Sequence, residues 1–218
     1  MVRKEDIEKK INSMSGKYSP YQIFYDWVKM LAIAIQNGCD IMKGRVWEQR
    51  EKEYLEIAGK YTREEMGKIT EISWMLTELM SRKLYDWLGE IYMGSGCGNG
   101  KIGQFFTPYH ISMLTAQMEM SKVSDKEIIK LYEPSAGAGG MIIAAADALE
   151  RKGIDYQKKL RVVAQDLDWL AVYMTYVQLS LYGIDAEVAQ GNTLEEPDIN
   201  KMPRERVLFT PRRMGMLI

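Results

Sequence analysis

A short apolar run, Ile128-Ile129-Lys130-Leu131-Tyr132, leads into Glu133-Pro134-Ser135-Ala136-Gly137-Ala138-Gly139-Gly140, and an Ala-rich apolar stretch from Met141 to Leu149 follows at once. Strand, glycine-rich turn and helix in direct succession is the unit from which open α/β sheets are built. Glycines there supply positive φ angles and let the backbone approach a ligand, while the helix start offers N–H groups that the helix itself does not use. The same pattern also suits an ordinary turn before a helix, so the reading depends on what surrounds it.

The surroundings extend the pattern. Leu160-Arg161-Val162-Val163-Ala164-Gln165-Asp166 reads as a second apolar strand ending in an acid, with Asp168 two residues on. An acid at that place can accept hydrogen bonds from ribose hydroxyls, or it can cap the following helix. A third strand, Ala186-Glu187-Val188-Ala189-Gln190, runs into Gly191-Asn192-Thr193-Leu194, where Asn192 either meets a purine edge or closes a turn. Upstream, Gly103-Gln104-Phe105-Phe106-Thr107-Pro108 sets two aromatics before a Thr-Pro pair. That segment is alternatively a core anchor with Thr107 as helix cap and Pro108 as first helical residue.

Together these segments resemble the adenine-N6 DNA methyltransferases, and among them the modification subunit of type I restriction-modification systems. The resemblance covers Gly103 to Leu194. It implies a site for S-adenosylmethionine: Phe105, Phe106, Thr107 and Pro108 match the Phe-Thr-Pro segment that holds the methionine end. Glu133, Pro134, Ser135, Gly137, Gly139 and Gly140 match the Asp-Pro-x-x-Gly-x-Gly-Gly turn, with Glu133 in place of the usual Asp. Asp166 corresponds to the ribose-binding acid, and Asn192 lies in the Gly-Asp/Asn-Thr-Leu segment beside the adenine.

One motif departs. The family carries Asn/Asp-Pro-Pro-Phe/Tyr at the end of the fourth strand, where it accepts the target amino group and stacks on the flipped base. The corresponding place here is expected at Arg206-Val207-Leu208-Phe209-Thr210-Pro211, which lacks the Asn or Asp, the second proline and the aromatic. No such segment occurs elsewhere in the sequence, so no catalytic residue is named. The chain ends at Ile218, before the remaining strands and any target-recognition domain, an ending expected to be natural since it carries no tag. The expectation is a methyltransferase unable to methylate alone, binding its cofactor for an assembly and meeting DNA only with a partner subunit. Two other readings stay open: a non-catalytic homologue acting as a regulatory or interaction protein of a restriction-modification system, and a methyltransferase of some other substrate.

Composition agrees with a globular protein. Of 218 residues 46% are apolar and 27% charged, with a formal net charge of −1, which argues against a stand-alone nucleic-acid binder. Lys201, Arg204, Arg206, Arg212 and Arg213 against one acid, Glu205, could meet phosphates or be solvated surface. Cys39 and Cys97 lack metal-site spacing, and with no signal-peptide core and no apolar run near ~18 residues, the expected place is the cytoplasm rather than a membrane. His110, the only histidine, is read as a surface residue or a cofactor neighbour, and it excludes a histidine metal cluster. The 16 methionines suit adaptable packing.

The first hundred residues read as helical. Arg3 to Ser13 is polar, Tyr21 to Gln36 carries Phe24, Trp27, Val28, Leu31 and Ile35 at helical spacing, and Trp47 to Gly59 is amphipathic. Thr62-Arg63-Glu64-Glu65 is a capping box opening a helix toward Ile91, with Trp27 and Trp74 as packing residues or, alternatively, base-stacking ones. Gly94 to Gly100 marks a boundary. The expected architecture is α/β: a helical N-terminal domain, 1–100, and a partial Rossmann-like S-adenosylmethionine-dependent methyltransferase domain, 101–218. Strands are expected near 128–133, 160–166, 186–190 and 206–209, with helices near 109–120, 138–151 and 168–182. A sheet missing its outer strands exposes an edge, so a homo- or hetero-oligomer is expected.

Overall fold

A computed structural model describes residues 2–95, 106–125 and 127–216. The described chain divides into two compact units, one from Met1–Lys83 with Trp87–Phe105, the other from Leu84–Asp86 with Phe106–Ile218.

The first unit is helical: α1 (Lys4–Ser13), α2 (Pro20–Cys39), α3 (Arg45–Ala58), α4 (Arg63–Met80) and α5 (Trp87–Gly94). Its helices start where the chain supplies caps. The Ser19 hydroxyl accepts from the Gln22 amide ahead of Pro20, and Thr62 and Glu65 close a reciprocal capping box. Phe24, Trp27, Ile72, Leu76, Leu88 and Ile91 are fully buried, each contributing roughly 1.5–3 kcal/mol relative to exposure. Trp27 donates its ring N–H to Ser73 Oγ at 2.9 Å, so its polar edge is satisfied within the core.

Three expectations are corrected here. The helix opened at Thr62 ends at Met80, and α5 starts afresh at Trp87. Trp74 is 59% exposed and packs no core. Leu31 and Ile35 are half-buried, because the buried face of α2 swings to Ala32, Ile33 and Gln36.

The second unit carries α6 (Tyr109–Met120), β1 (Ile129–Glu133), α7 (Gly140–Arg151), a short α8 (Tyr156–Lys159), β2 (Leu160–Asp166), α9 (Trp169–Leu181), β3 (Asp185–Gln190) and β4 (Val207–Phe209). The sheet order is β1-β2-β3-β4. β1, β2 and β3 run parallel, with Leu131 beside Val162 and Val162 beside Ala186. Each crossover carries a helix: α7 lies on β1, α9 on β2 and β3, and α6 packs along α7. That is one half of a doubly wound α/β sheet, a partial Rossmann-like fold.

Alternation decides which side is dry. Ile129, Leu160, Val162, Ala164, Ala186 and Val188 are buried in the core. The opposite face carries Lys130, Tyr132, Arg161, Val163, Asp185 and Glu187, paired across the strands and lining a groove of about 630 Å³. Its β3 side is partly covered by Ile199 and Met202, from the segment ahead of β4, packed against Ala189 and Val207.

The fourth strand forms within the expected range, at Val207–Phe209. β4 runs antiparallel to β3, with Val188 opposite Leu208. Its carboxyl end therefore lies at the start of β3, where Thr210 is buried. The Thr210 hydroxyl accepts from the Ala186 amide at 3.0 Å and donates to the Ile184 carbonyl at 2.7 Å. The Arg206–Pro211 segment thus leads to the end of the sheet opposite the glycine turn.

Candidate functional site

The turn after β1 is drawn onto the end of β2. The Ala136 amide donates to the Gln165 carbonyl at 2.9 Å, and the Gly137 amide donates to Asp166 Oδ2 at 2.8 Å. Gly137 and Gly139 hold φ of +57° and +91°, a region that residues with a Cβ rarely enter, and Gly139 caps α7. Space is as tight as conformation. A Cβ on Gly137 would lie 2.9 Å from the Phe106 ring, and one on Gly139 would lie 3.3 Å from Thr175 Oγ1.

Two buried polar residues of α9 hold the turn from below. Thr175 donates to the Gly137 carbonyl at 2.9 Å, and Gln178 Nε2 donates to the Ala138 carbonyl and to Asp86 Oδ1, both at 2.8 Å. Asp86 is itself buried, with its second oxygen against Gly140. The sequence reading missed these three residues. Their only signal was polarity at Thr175 and Gln178 in an otherwise apolar helix, since a helix buried all round has no stripe to read.

Asp166 is the electrostatic centre. Its two oxygens accept from the Gly137 and Asp168 amides, the latter at 3.0 Å, so it organises the turn and the start of the next helix together. Burial pushes its pKa upward, opposed by these backbone hydrogen bonds. Glu133 is also pushed upward, first by burial and further by the Asp166 charge, while the Ser135 amide stabilises its ionised form. Each Asp166 oxygen carries a further lone pair, so the carboxylate can still accept from hydroxyls.

The loop after β3 supplies the third wall. The Gly191 amide donates to the Asp166 carbonyl at 2.8 Å, and Thr193 Oγ1 donates to the Pro134 carbonyl at 2.8 Å. Asn192 is half-buried, and its Oδ1 accepts from the Leu194 amide at 3.1 Å. Because Leu194 engages the oxygen, the amide NH₂ is the end of Asn192 left for a ligand, suited to a ring-nitrogen acceptor.

The structure therefore brings Phe106, Glu133, Pro134, Ser135, Gly137, Gly139, Gly140, Asp166 and Asn192 to one end of the sheet. Thr107 and Pro108 are exposed, and the expected cap is corrected: Pro108, not Thr107, holds the N-cap position of α6, and its carbonyl accepts from the Ile111 and Ser112 amides. Phe105 lies outside the described residues, as do Cys97 and most of the glycine-rich boundary. His110 is exposed on α6. The basic stretch is engaged within the chain: Arg206 with Glu196, Arg213 with Glu187, Lys201 with Asp198, Arg212 with the Gln157 carbonyl, and Arg204 over the Phe209 ring. This favours the surface reading of those cations over the phosphate one.

The residues fit an adenosyl cofactor. The turn holds its backbone at positive φ, Asp166 sets a carboxylate with lone pairs beside it, and Asn192 sets an amide donor on the neighbouring loop. A family model described as N-6 DNA Methylase matches residues 83–212, more than half the chain and the whole of this site. The chain belongs to the N-6 DNA methylase family. A curated relative, the type I restriction enzyme MjaIX methylase subunit of Methanocaldococcus jannaschii, is 27% identical over 113 residues, which are 51% of this chain and 19% of that protein. The chain thus spans about a fifth of that relative's length. Among solved structures, a Listeria monocytogenes protein described as a class I S-adenosylmethionine-dependent methyltransferase superposes at a TM-score of 0.52 with 12% identity, over 88% of this chain and 54% of the other. That likeness supports the fold alone. A type I restriction-modification methyltransferase subunit of Streptococcus thermophilus is more distant, at a TM-score of 0.46 and 17% identity over 88% of this chain and 43% of that one.

Proposed function

We propose that the chain binds S-adenosylmethionine at the β1–α7 turn and serves an N6-adenine DNA methyltransferase assembly whose catalytic loop comes from elsewhere. The observation that carries this reading is Asp166, a carboxylate at the end of β2 that fixes the glycine turn and keeps lone pairs for hydroxyls. Gly137 and Gly139, at positive φ, and Gly140, packed on Asp86, would let the backbone of the turn approach the cofactor, and Phe106 would wall it. Asp166 would accept from the ribose, and Asn192 would donate to the adenine. The bound group supplies an electrophilic methyl on a sulfonium centre; this chain's residues orient it and exclude water.

No step of methyl transfer is assigned to a side chain here. The Asn/Asp-Pro-Pro-aromatic motif is absent from the sequence, and β4 lies on the far edge of the sheet. The relative is named as one subunit of a restriction enzyme; here the base-binding loop and the contact with DNA would come from outside the residues of this sequence. A soluble cytoplasmic setting accords with this role.

A second reading has its own observation. Both Asp166 oxygens already accept backbone amides, so the carboxylate could serve the turn alone in a homologue that works as an interaction protein. Calorimetric titration of the purified chain with S-adenosylmethionine and S-adenosylhomocysteine separates the two. Micromolar binding is expected; a folded sample that binds neither would overturn the cofactor reading and leave the interaction protein.

A further inference from the structure

The geometry points to Arg206 as a positioning residue for the adenine side of the site, acting through Glu196 and the loop that carries Asn192. This rests on the cofactor reading above. Arg206 sits in the 3₁₀ turn just ahead of β4, so the strand that pairs antiparallel with β3 delivers its side chain back to the carboxyl end of the sheet.

Its guanidinium is used at every nitrogen. Nη1 and Nη2 donate to the two Glu196 oxygens at 3.0 and 2.6 Å, a fork-to-fork pair. Nε donates to the Gln190 carbonyl at 2.9 Å and to Gln190 Oε1 at 3.1 Å. The bonds thus join the last residue of β3 to the far end of the 191–196 loop. Planar bidentate geometry fixes direction as well as distance, which a lysine could not do.

Between those two anchors the loop is packed against the same side chain. A Cβ on Gly191 would lie 2.5 Å from Arg206 Nη2 and 3.0 Å from Gln165 Nε2. Gln165, fully buried, donates to the Glu196 carbonyl at 3.1 Å. The Glu195 and Glu196 amides both donate to the Asn192 carbonyl, at 3.0 and 2.8 Å, so the position of Glu196 is transmitted through one tight turn to Asn192. Arg206 directs its hydrogen bonds to Gln190 and Glu196. Its effect is to hold a short polar loop in one conformation before ligand arrives, which removes an ordering cost from binding.

The test uses the full chain, S-adenosylhomocysteine as probe, and hydrogen exchange of the unliganded protein. Arg206→Met is expected to weaken binding about tenfold, the scale of a lost charge-assisted hydrogen bond. Glu196→Gln, which leaves β4 and the Gln190 contact in place, should weaken it in the same direction. Both should speed exchange at the amides of 191–196. A merely structural role would show faster exchange confined to 207–209 with affinity unchanged, and that result would overturn the inference. Should Arg206→Met fail to fold, Glu196→Gln decides alone by the same two readouts. Wild-type protein that binds no probe removes the cofactor reading and this inference with it; wild-type binding matched by both variants removes only the inference.

Discussion

Under the proposed function, Asp166 would serve folding and binding with opposite pH demands. Burial raises its pKa in the folded chain, and that of Glu133 likewise. For a carboxyl raised by folding, the native state holds its proton more tightly, so its contribution to stability is fullest below the unfolded value and is lost as pH rises through the folded one. Glu196 runs the other way: its hydrogen bond from Arg206 lowers its pKa, and its contribution is lost as pH falls through the folded value. Ligand binding, if it follows the proposed roles, would have one sign, because ionised Asp166 is the better acceptor for a ribose hydroxyl and ionised Glu196 the better partner for Arg206. Affinity for S-adenosylhomocysteine should therefore fall as pH drops from neutrality into the carboxylate range, while the melting temperature changes less; titrations across that range against parallel thermal scans check this. Asp166→Ala should weaken binding by about 1–3 kcal/mol, with some loss of stability because the Gly137 and Asp168 amides lose their acceptor. Unchanged affinity would move the ribose role to Asp168. Gly139→Val is a blunter probe: at φ +91° a β-branched residue is strained, so a lowered melting temperature should accompany any loss of binding.

The elements themselves were legible because each carries its own local signal. β1, β2, β3, α7 and α9 fall within a residue or two of the ranges read from apolar runs and punctuating glycines. β4 was legible as a strand and not as a neighbour: Val207-Leu208-Phe209 says extended and apolar, but nothing in three residues says which edge they join or in which direction. Thr210 settles it in the structure, through a hydroxyl that completes the hydrogen bonding at the start of β3. Thr210→Val keeps the volume and removes those bonds, leaving the buried Ala186 amide with one partner fewer. It should cost about 1–3 kcal/mol in denaturant unfolding, and a change within error would mean that β4 is held by its apolar contacts alone. The site was legible to the same depth. Gly137, Gly139, Asp166 and Asn192 are announced by strand ends and turns, whereas Thr175, Gln178, Asp86 and Arg206 reach the site from elements distant in sequence, and no local pattern marks a side chain for what it will meet across a fold.

At the scale of the molecule, the strand that leads into the glycine turn is also an edge. Among the described residues β1 pairs only with β2, and α7 and α9 pack on the face that holds the core. The other face keeps Tyr132 and Ile128 about half exposed beside the groove, with Lys130 the charge that β1 presents between them. An unpaired edge strand next to an uncovered apolar strip is the surface that sheet proteins either protect or use for assembly. The prediction to test is association of this chain through β1, with a second copy or with a subunit carrying the complementary strand. Light scattering of the purified chain should show a mass that rises with concentration. Tyr132→Lys should reduce that rise, since it sets a second positive charge two residues from Lys130 on the same face, at a cost to folding of within about 0.5 kcal/mol for an exposed position. A wild-type chain that stays monomeric at every concentration would show that the edge is not used by copies of this chain. Association unaffected by Tyr132→Lys would place the contact on another surface.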